Sequence, residues 1–414
     1  MGRKSFEDPP QAVVKDGVVE ISGVLSSPHE VEENKTLKRR IYRRTITDFV
    51  FDEDYGEFFS GIAPPDPSEL IFEGPLPQRH LRWAAYTDRD VEIGSYYVYW
   101  IGDEDSEKNG EVYGPMAVKV RDPEIYWTYK KTVERMEAIK AAYPGMAEMR
   151  QFGQSTRKRP LYGIVAGNPS KLLAFTGYVH AGESGTEILL PALERLLAVN
   201  RDLLSRAGIA MLPCVNADSR EKFVTGHPSY IRVNPNHVDL NRNYPVFWDL
   251  PGYGYGLDTN AEWSVTYRGP YPASEDETQA VMNFIKTLKP RGVFSFHAMG
   301  SICADAFCVP SAAATDRAYC QKCLELYMPY SKGFREINSE ADVRLPPNKP
   351  AQYLTEWIYQ EFKIPAADLE FNGKDYEKYG YTKRDRTDRK TLDLFRERHY
   401  QGMVNALEVL AQQP

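Results

Sequence analysis

Cysteine is scarce in this chain, and the cysteines that occur form no obvious disulfide framework. There are five among 414 residues, an odd number, so at least one has no intramolecular partner. Cys320 and Cys323 form a C-x-x-C pair, but no second pair follows at zinc-ribbon spacing. Their surroundings, DRAYCQKCLELY, are typical of a helix. We therefore interpret them as ordinary helix cysteines rather than a redox or metal pair, which leaves the compartment and the disulfide state open.

The chain also lacks long apolar runs and an excess of basic charge. No stretch of about twenty uninterrupted apolar residues occurs, which excludes a membrane-spanning helix. The net charge is -7 with the two signs interspersed, so there is no basic stripe for nucleic acid. The first residues, MGRKSFEDPP, have no apolar signal-peptide core. We expect a cytoplasmic protein as the chain stands, or a secreted or periplasmic one if a leader was removed; the oligomeric state is not indicated.

Residues 1–122 consist of short runs with β character. The runs are rich in Val, Ile, Thr, Tyr and Trp and are separated by Gly, Pro, Asp and Asn: VVKDGVVEISGVL, RRIYRRTITDFVF, LRWAAYTD, GSYYVYWIGD and YGPMAVKV. They predict an all-β sandwich as an N-terminal domain. The stretch from Tyr86 to Val120 resembles the last strands of a fibronectin type III or immunoglobulin-like module, which implies a binding or spacer role. A domain that only packs against its neighbour is the alternative.

Residues 123–414 alternate between strand and helix patterns. PLYGIVAG, KLLAFTGYV, IAMLPCV and GVFSFHA have the character of strands, whereas TEILLPALERLLAVN and EDETQAVMNFIKTL are amphipathic helices. Helices are also predicted from Tyr126 to Ala142 and from Arg389 to Leu410. The alternation predicts an α/β domain with a mostly parallel mixed sheet flanked by helices. In such sheets, sites form at the carboxyl ends of strands.

Three residues near predicted strand ends suit a metal. His180 and Glu183 follow one apolar run as His-x-x-Glu, and His297 ends another. Imidazole nitrogen and carboxylate oxygen are both zinc ligands, and a catalytic zinc site needs three protein ligands with one position left open. Each motif alone is more often an ordinary loop or core histidine, so the prediction depends on the three residues together.

Two further features have both a functional and an ordinary explanation. The segment IRVNPNHVDLNRNYP is dense in donors that suit a carboxylate, because a guanidinium binds a carboxylate through two parallel hydrogen bonds. It is equally well explained as a polar loop with a helix cap. Glu370 ends an apolar run, where a charge is normally avoided. A carboxylate there suits a general base that deprotonates water, although an ordinary strand-end glutamate has the same pattern.

Taken together, these features have the order found in a known family. From about Trp127 to Leu410 the chain resembles the zinc metallocarboxypeptidases, the family of carboxypeptidases A, B, D and E. The His-x-x-Glu pair, the VNAD turn, the DLNRNYP segment and the run YRGPYPASEDETQAVMNF before His297 are similar to the family's motifs. Glu370 follows Trp357 by thirteen positions, as the family's catalytic glutamate follows its tryptophan. The resemblance implies a carboxypeptidase-like fold for residues 123–414.

The resemblance also implies a metal centre and a reaction. His180, Glu183 and His297 would bind one Zn²⁺ per chain, and Asp239 would orient His180 from behind. Glu370 would serve as general base and then as proton donor to the leaving amine.

The resemblance extends to residues that bind the substrate. Arg232, seven residues before Asp239 as in carboxypeptidases D and E, would stabilise the oxyanion. Asn241 and Arg242 would hold the free C-terminal carboxylate of a peptide. The family's substrate-capping tyrosine has no clear counterpart, and Tyr353 is the nearest candidate. Thr355 occupies the specificity-pocket position, which argues against a strong preference for basic residues.

The leading hypothesis is therefore a zinc carboxypeptidase that removes C-terminal residues from peptides. Within the same chemistry, cell-wall peptides or polyglutamate tails are alternative substrates. A hypothesis of another class is a catalytically silent binding or adhesion protein on the same fold. Proteins of that kind usually lack the zinc ligands or the general base, and all of those residues have counterparts here.

Overall fold

A computed structural model describes most of the chain, which divides into two compact units. The described residues are 10–22, 36–46, 62–77, 84–103, 112–228, 230–250, 253–254, 257–297, 305–337, 343–370 and 389–413. The first unit comprises Met1–Tyr126 together with Lys222–Tyr230, and the second comprises Trp127–Glu221 and Ile231–Pro414. The sequence did not indicate that residues 222–230, from within the α/β part of the chain, pack with the first unit.

The first unit is built from antiparallel strands. They are β1 (Gln11–Lys15), β2 (Val18–Ser22), β3 (Thr36–Ile46), β4 (Leu70–Pro77), β5 (Ala84–Asp88), β6 (Tyr96–Asp103) and β7 (Tyr113–Lys119). One sheet has the order β1-β2-β5 and the other β4-β3-β6-β7. Val19 and Ile21 of the smaller sheet share an apolar cluster with Ile41 and Tyr99 of the larger one. Antiparallel sheets with a common core are as predicted, whereas the likeness to a fibronectin or immunoglobulin module stays a prediction.

Strand β4 was not predicted, and its composition explains why. Its sequence LIFEGPLP contains a glycine and two prolines, which normally argue against a strand. Among the described strands, β4 lies at the edge of its sheet and pairs only with β3. A proline on an edge strand need not remove a ladder hydrogen bond, because one side of the strand has no strand partner.

The second unit contains a large sheet and most of the helices. Its strands are β8 (Ala147–Gln154), β9 (Pro160–Gly167), β10 (Leu172–Thr176), β11 (Gly208–Leu212), β12 (Tyr253–Gly254), β13 (Leu257–Asp258), β14 (Gly292–Phe296), β15 (Asp305–Cys308), β16 (Val343–Arg344) and β17 (Ala366–Glu370). The helices among the described residues are α1 (Tyr129–Ala142), α2 (Thr186–Val199), α3 (Arg201–Arg206), α4 (Ala217–Val224), α5 (Asp276–Leu288), α6 (Arg317–Ile337), α7 (Leu354–Phe362) and α8 (Arg389–Gln412). Short 3-10 turns occur at Pro67–Glu69, Leu240–Arg242 and Ser311–Ala314.

The large sheet has eight strands in the order β16-β15-β17-β14-β10-β11-β9-β8. The four strands from β17 to β11 run parallel, and antiparallel pairs occur on both sides of them. All five residues of β10, of β11 and of β14 are buried, which explains why these strands are continuous apolar runs rather than alternating ones. The predicted α/β fold with a mixed sheet flanked by helices is confirmed.

Strand order places the predicted site at the carboxyl ends of the central parallel strands. The neighbouring parallel strands β17, β14 and β10 end at Glu370, directly before His297, and shortly before His180. Parallel strands have their carboxyl ends at the same edge, so residues that are far apart in sequence come together there.

Other predictions concern helices and cysteines. The four helices predicted from periodicity are present, and the two cysteines of the C-x-x-C pair lie in α6 as free thiols. Cys303 lies outside the described residues. Among the described residues, none of the helices combines the length and the apolar character that crossing a membrane requires.

Shortening Phe294 should strongly destabilise the second unit. The ring is fully buried in β14, stacks on Phe175 at 4.6 Å between centroids and meets Tyr327 edge-on at 5.1 Å. Phe294→Ala should lower the free energy of unfolding by about 3–5 kcal/mol, because it leaves a cavity. Phe294→Leu is the control and should lose clearly less. Urea-induced unfolding measures both, and an alanine variant as stable as the leucine variant would contradict this packing.

Candidate active site

His180 and Glu183 lie on a tight loop, residues 177–185, that follows β10. The stem of the loop is closed by Gly177 and Gly185. A Cβ atom on Gly177 would lie 2.6 Å from the Cα atom of Gly185, so the close approach requires glycine. The Glu183 amide donates to the His180 carbonyl oxygen at 3.1 Å, which directs the two side chains toward one point.

A buried arginine that the sequence did not reveal supports this loop. Arg220, on α4, donates from Nη1 to the Ala181 carbonyl oxygen at 3.0 Å. Its guanidinium also lies on the Tyr178 ring, 3.8 Å from the centroid, and 3.9 Å from a carboxylate oxygen of Glu187. Arginine in helical sequence is usually solvated, so sequence alone gave no sign of this role.

The structure brings the three predicted metal ligands together. His180 Nδ1 lies 3.0 Å from Glu183 Oε1, and His297 Nδ1 lies 2.9 Å from Glu183 Oε2. All three side chains are buried, with their candidate donor atoms within 4.8 Å of one another. Among the described residues this is the only such group of His, Cys, Asp or Glu. Two imidazole nitrogens and a carboxylate are a zinc donor set, so the residues present fit this metal.

Asp239 lies behind His180 and joins it to two arginines. Asp239 Oδ1 is 3.0 Å from His180 Nε2, and Oδ2 accepts from Arg232 Nε at 2.9 Å. Burial alone would raise the pKa of Asp239, but the charges of Arg232 and Arg242 outweigh burial and lower it. The carboxylate is therefore ionised and keeps an acceptor against His180 Nε2, which leaves Nδ1 for the metal.

The buried charges also determine the ionisation of Glu183. Burial would raise its pKa, but the charges on His180 and His297 lower it below its ordinary value. Glu183 is therefore ionised, which is the form in which a carboxylate binds a metal.

The residues predicted to bind a substrate carboxylate are also close together. Arg242 donates from Nη1 to the Asn241 carbonyl oxygen at 3.0 Å, and its Nε has no hydrogen-bond partner among the described atoms although it is buried. The Asn241 side chain accepts from the Leu354 amide at 3.1 Å, which fixes its orientation. Tyr353 places its ring under the Arg242 guanidinium, 4.4 Å from the centroid. Tyr353 is thus near the predicted substrate site, while its role as a capping residue stays a prediction.

Glu370 and Thr355 both contribute polar atoms that lack a partner. The Glu370 Oε2 atom and the Thr355 hydroxyl are buried, with no hydrogen-bond partner among the described atoms. Burial raises the pKa of Glu370 to about 7, although the nearby charge of His297 acts in the opposite direction. A carboxyl group with that pKa exchanges its proton near neutral pH, as a general base and acid must.

Two acidic residues beside the site were missed by the sequence reasoning. Asp368 lies two positions before Glu370 on β17, and its Oδ2 atom accepts from Asn241 Nδ2 at 3.4 Å. Glu356, next to Thr355 on α7, is buried and accepts the Ser311 amide at 2.6 Å. The signal for Asp368 was available, because it places a charge inside the same apolar run, AADLE, that singled out Glu370.

Comparison with known proteins gives a match to one family. The family model described as zinc carboxypeptidase matches residues 132–386, more than half of the chain. Murein peptide amidase A of Escherichia coli (strain K12) is 33% identical over 173 residues, which cover 40% of this chain and 64% of the amidase. Carboxypeptidase A6 of Mus musculus is 26% identical over 197 residues, which cover 42% of this chain and 43% of that protein. The chain thus spans less than two thirds of the length of these relatives.

A solved structure shows the same fold. Bovine thrombin-activatable fibrinolysis inhibitor, in complex with tick carboxypeptidase inhibitor, matches with a TM-score of 0.55 at 18% identity. The match covers 69% of this chain and 98% of that one.

Replacing Glu356 should change how stability depends on pH. Burial raises the pKa of Glu356 to about 7 from an ordinary value of 4.5, so the folded state holds its proton more tightly than the unfolded chain. Protonated Glu356 stabilises the folded protein fully below pH 4.5, the ordinary pKa that applies in the unfolded chain. This stabilisation is lost as the pH rises through 7. Relative to Glu356→Gln, the original protein should therefore lose roughly 1–3 kcal/mol of unfolding free energy between about pH 4.5 and 8. Urea unfolding across this range tests it, and parallel profiles would show that burial does not perturb the group.

Proposed function

The chain belongs to the zinc carboxypeptidase family, and from this premise we propose that it is a zinc-dependent carboxypeptidase that hydrolyses the C-terminal bond of peptides. The observation that carries the proposal is the meeting of His180, Glu183 and His297 beyond the ends of two adjacent parallel strands, with Glu370 at the end of the neighbouring strand β17. A protein that used this fold only for binding would not need a glutamate of raised pKa beside a set of metal ligands.

The proposed ligands are His180, Glu183 and His297. When bound, zinc supplies Lewis-acid chemistry, activating water and polarising the scissile carbonyl. Asp239 keeps His180 in the tautomer that presents Nδ1, since it holds an acceptor 3.0 Å from Nε2.

Glu370 is the proposed proton carrier. Burial holds its pKa near 7, so the ionised form takes a proton from the attacking water and the protonated form returns it to the leaving amine. Its Oε2 atom has no hydrogen-bond partner among the described atoms, which leaves an acceptor for that proton.

Arg232 is proposed to stabilise the oxyanion. Its Nε and Nη2 atoms bind Asp239, at 2.9 and 2.8 Å, while Nη1 lies 3.5 Å from His180 Nδ1 on the side of the metal ligands. The paired atoms fix the guanidinium, so that its third nitrogen is held where charge would develop on the carbonyl oxygen.

Asn241 and Arg242 are proposed to bind the terminal carboxylate of the substrate. The buried Arg242 Nε has no hydrogen-bond partner within the described part of the chain, and a carboxylate would supply one. Binding a free C-terminus next to the reacting atoms makes the cleavage that of an exopeptidase.

A second candidate substrate class is cell-wall peptide, which the similarity to murein peptide amidase A favours. A panel of peptides that end in Lys, Glu, Phe or diaminopimelate, with and without a chelator, separates the candidates by mass spectrometry. Loss of one C-terminal residue from general peptides supports the first proposal, and cleavage confined to diaminopimelate peptides favours the second. No cleavage of any peptide by zinc-loaded protein would overturn both and favour a silent binding protein.

Glu370→Gln should retain zinc but lose most of the activity. The amide cannot accept the proton of the attacking water, so the kcat should fall by about 10²–10⁴-fold. Steady-state kinetics and metal analysis of the same sample measure the two effects separately. Glu361→Gln, an exposed site, is the control and should behave as the original protein does. Full activity in the Glu370 variant would remove this residue from the mechanism.

Arg242→Gln should weaken recognition of the free C-terminus. A lost charged hydrogen bond of about 1.5–3 kcal/mol lowers kcat/KM by roughly 10–100-fold. A C-terminally amidated peptide should be a poor substrate for the original protein, and the variant should discriminate less between the acid and amide forms. The exposed Arg150→Gln serves as control. Equal discrimination in both proteins would show that Arg242 does not bind the carboxylate.

A further inference from the structure

The two histidines of the metal centre present the same ring atom to Glu183. His180 and His297 both direct Nδ1 toward it, at 3.0 and 2.9 Å. In each ring, Nε2 is consequently the atom that faces away from the ligand group. What lies beyond Nε2 decides how firmly each ring is held and which tautomer it adopts.

For His180 the atom beyond Nε2 is a carboxylate oxygen of Asp239, at 3.0 Å. His297 has a similar environment, which the family motifs in the sequence did not point to. Its Nε2 lies 3.5 Å from Asp368 Oδ1 and 3.2 Å from the hydroxyl of Ser295. Both distal nitrogens therefore have a carboxylate nearby, but that of His297 is farther away, and the Ser295 hydroxyl lies closer to its Nε2 than the carboxylate does.

The backbone holds Asp368 in this position. Strands β14 and β17 are parallel neighbours in which Ser295 is paired directly with Asp368. His297 comes two residues after Ser295, directly beyond the end of β14, so its ring is held beside a carboxylate on the neighbouring strand. Asp368 is only 4% exposed, and Oδ1 makes no hydrogen bond within the described atoms. A buried carboxylate with an unused oxygen is costly unless a charged or donating group faces it.

We propose that Asp368 is a positioning residue for His297, holding it for the metal through Nε2 as Asp239 holds His180. The inference rests on the proposed function, because it assumes that His297 binds zinc. The carboxylate keeps the proton of the ring on Nε2, leaves the lone pair of Nδ1 free for the metal and increases the basicity of that nitrogen.

Asn241 connects the two carboxylates. Its backbone amide donates to Asp239 Oδ1 at 3.0 Å, and its side-chain amide donates to Asp368 Oδ2 at 3.4 Å. The residue proposed to bind the substrate carboxylate therefore touches the supports of both histidines. A change at Asp368 should consequently affect the metal first and the binding of substrate second.

Asp368→Asn tests the proposal, because it keeps the shape of the side chain and removes the charge. We expect the affinity for zinc alone, measured by competition with a chromogenic chelator, to fall by about 10–100-fold. The absorption spectrum of the Co²⁺-substituted protein should change as well, since the orientation of His297 changes. Asp239→Asn should weaken zinc binding in the same way through His180.

Two matched variants separate the contribution of Asp368 to zinc binding from that of Ser295 and from that of another buried acid. Ser295→Ala removes the hydroxyl near His297 Nε2 and should change zinc affinity less than Asp368→Asn does. Glu356→Gln removes another buried acid and should leave zinc affinity and the Co²⁺ spectrum unchanged. If Asp368→Asn does not fold, Asp368→Glu keeps the charge and displaces it, and it should alter the Co²⁺ spectrum with a smaller loss of affinity.

The outcomes distinguish this inference from the proposed function. Unchanged zinc affinity and an unchanged Co²⁺ spectrum in Asp368→Asn would overturn the inference, particularly if Ser295→Ala shows the loss instead. A change of preference among peptide ends without a change in zinc affinity would also overturn it, and would assign Asp368 to the substrate. If the original protein binds no zinc at all, the proposed function itself fails.

Discussion

The carboxylate of Asp239 is the contact on which the rest of the site depends. It faces His180 and accepts hydrogen bonds from Arg232 and from the backbone of Asn241, so a single buried anion orders a proposed metal ligand, a proposed oxyanion donor and a proposed carboxylate binder. Buried charges are stable only when they are paired and hydrogen-bonded. Loss of Asp239 would therefore leave two arginines without their common counter-charge.

The balance of charge explains why a divalent cation suits this site. When Glu370 is ionised, the site contains the carboxylates of Glu183, Asp239, Asp368 and Glu370 against the guanidinium groups of Arg232 and Arg242. With both histidine rings neutral, as metal binding requires, the described residues of the site thus have two more negative than positive groups. A dication at the histidines would balance this excess, and without one, the charges on His180 and His297 balance it.

How much the sequence reveals depends on whether a feature is local. The buried strands and amphipathic helices follow from hydrophobic pattern, and the grouping of His180, Glu183 and His297 follows from their positions near the ends of apolar runs, so both could be predicted. Strand β4 could not, because its prolines are acceptable only at an edge that strand order defines. Asp368 and Arg220 were missed for a similar reason. Their importance comes from partners far away in the chain, His297 and Tyr178, and no local pattern encodes such a pairing.

The first unit is made of two separate segments of the chain, so residues 1–126 alone do not form the whole of it. Residues 222–230 belong to that unit, where the Val14 amide donates to the Thr225 carbonyl oxygen and the Lys119 amide donates to the Gly226 carbonyl oxygen. The polypeptide therefore passes between the units three times rather than once, and its last passage comes directly before Arg232. If the chain were cut after residue 126, residues 222–230 would lose the backbone hydrogen bonds that they make with β1 and β7. Domain exchange or deletion in evolution would thus have to move two separate pieces of the gene together.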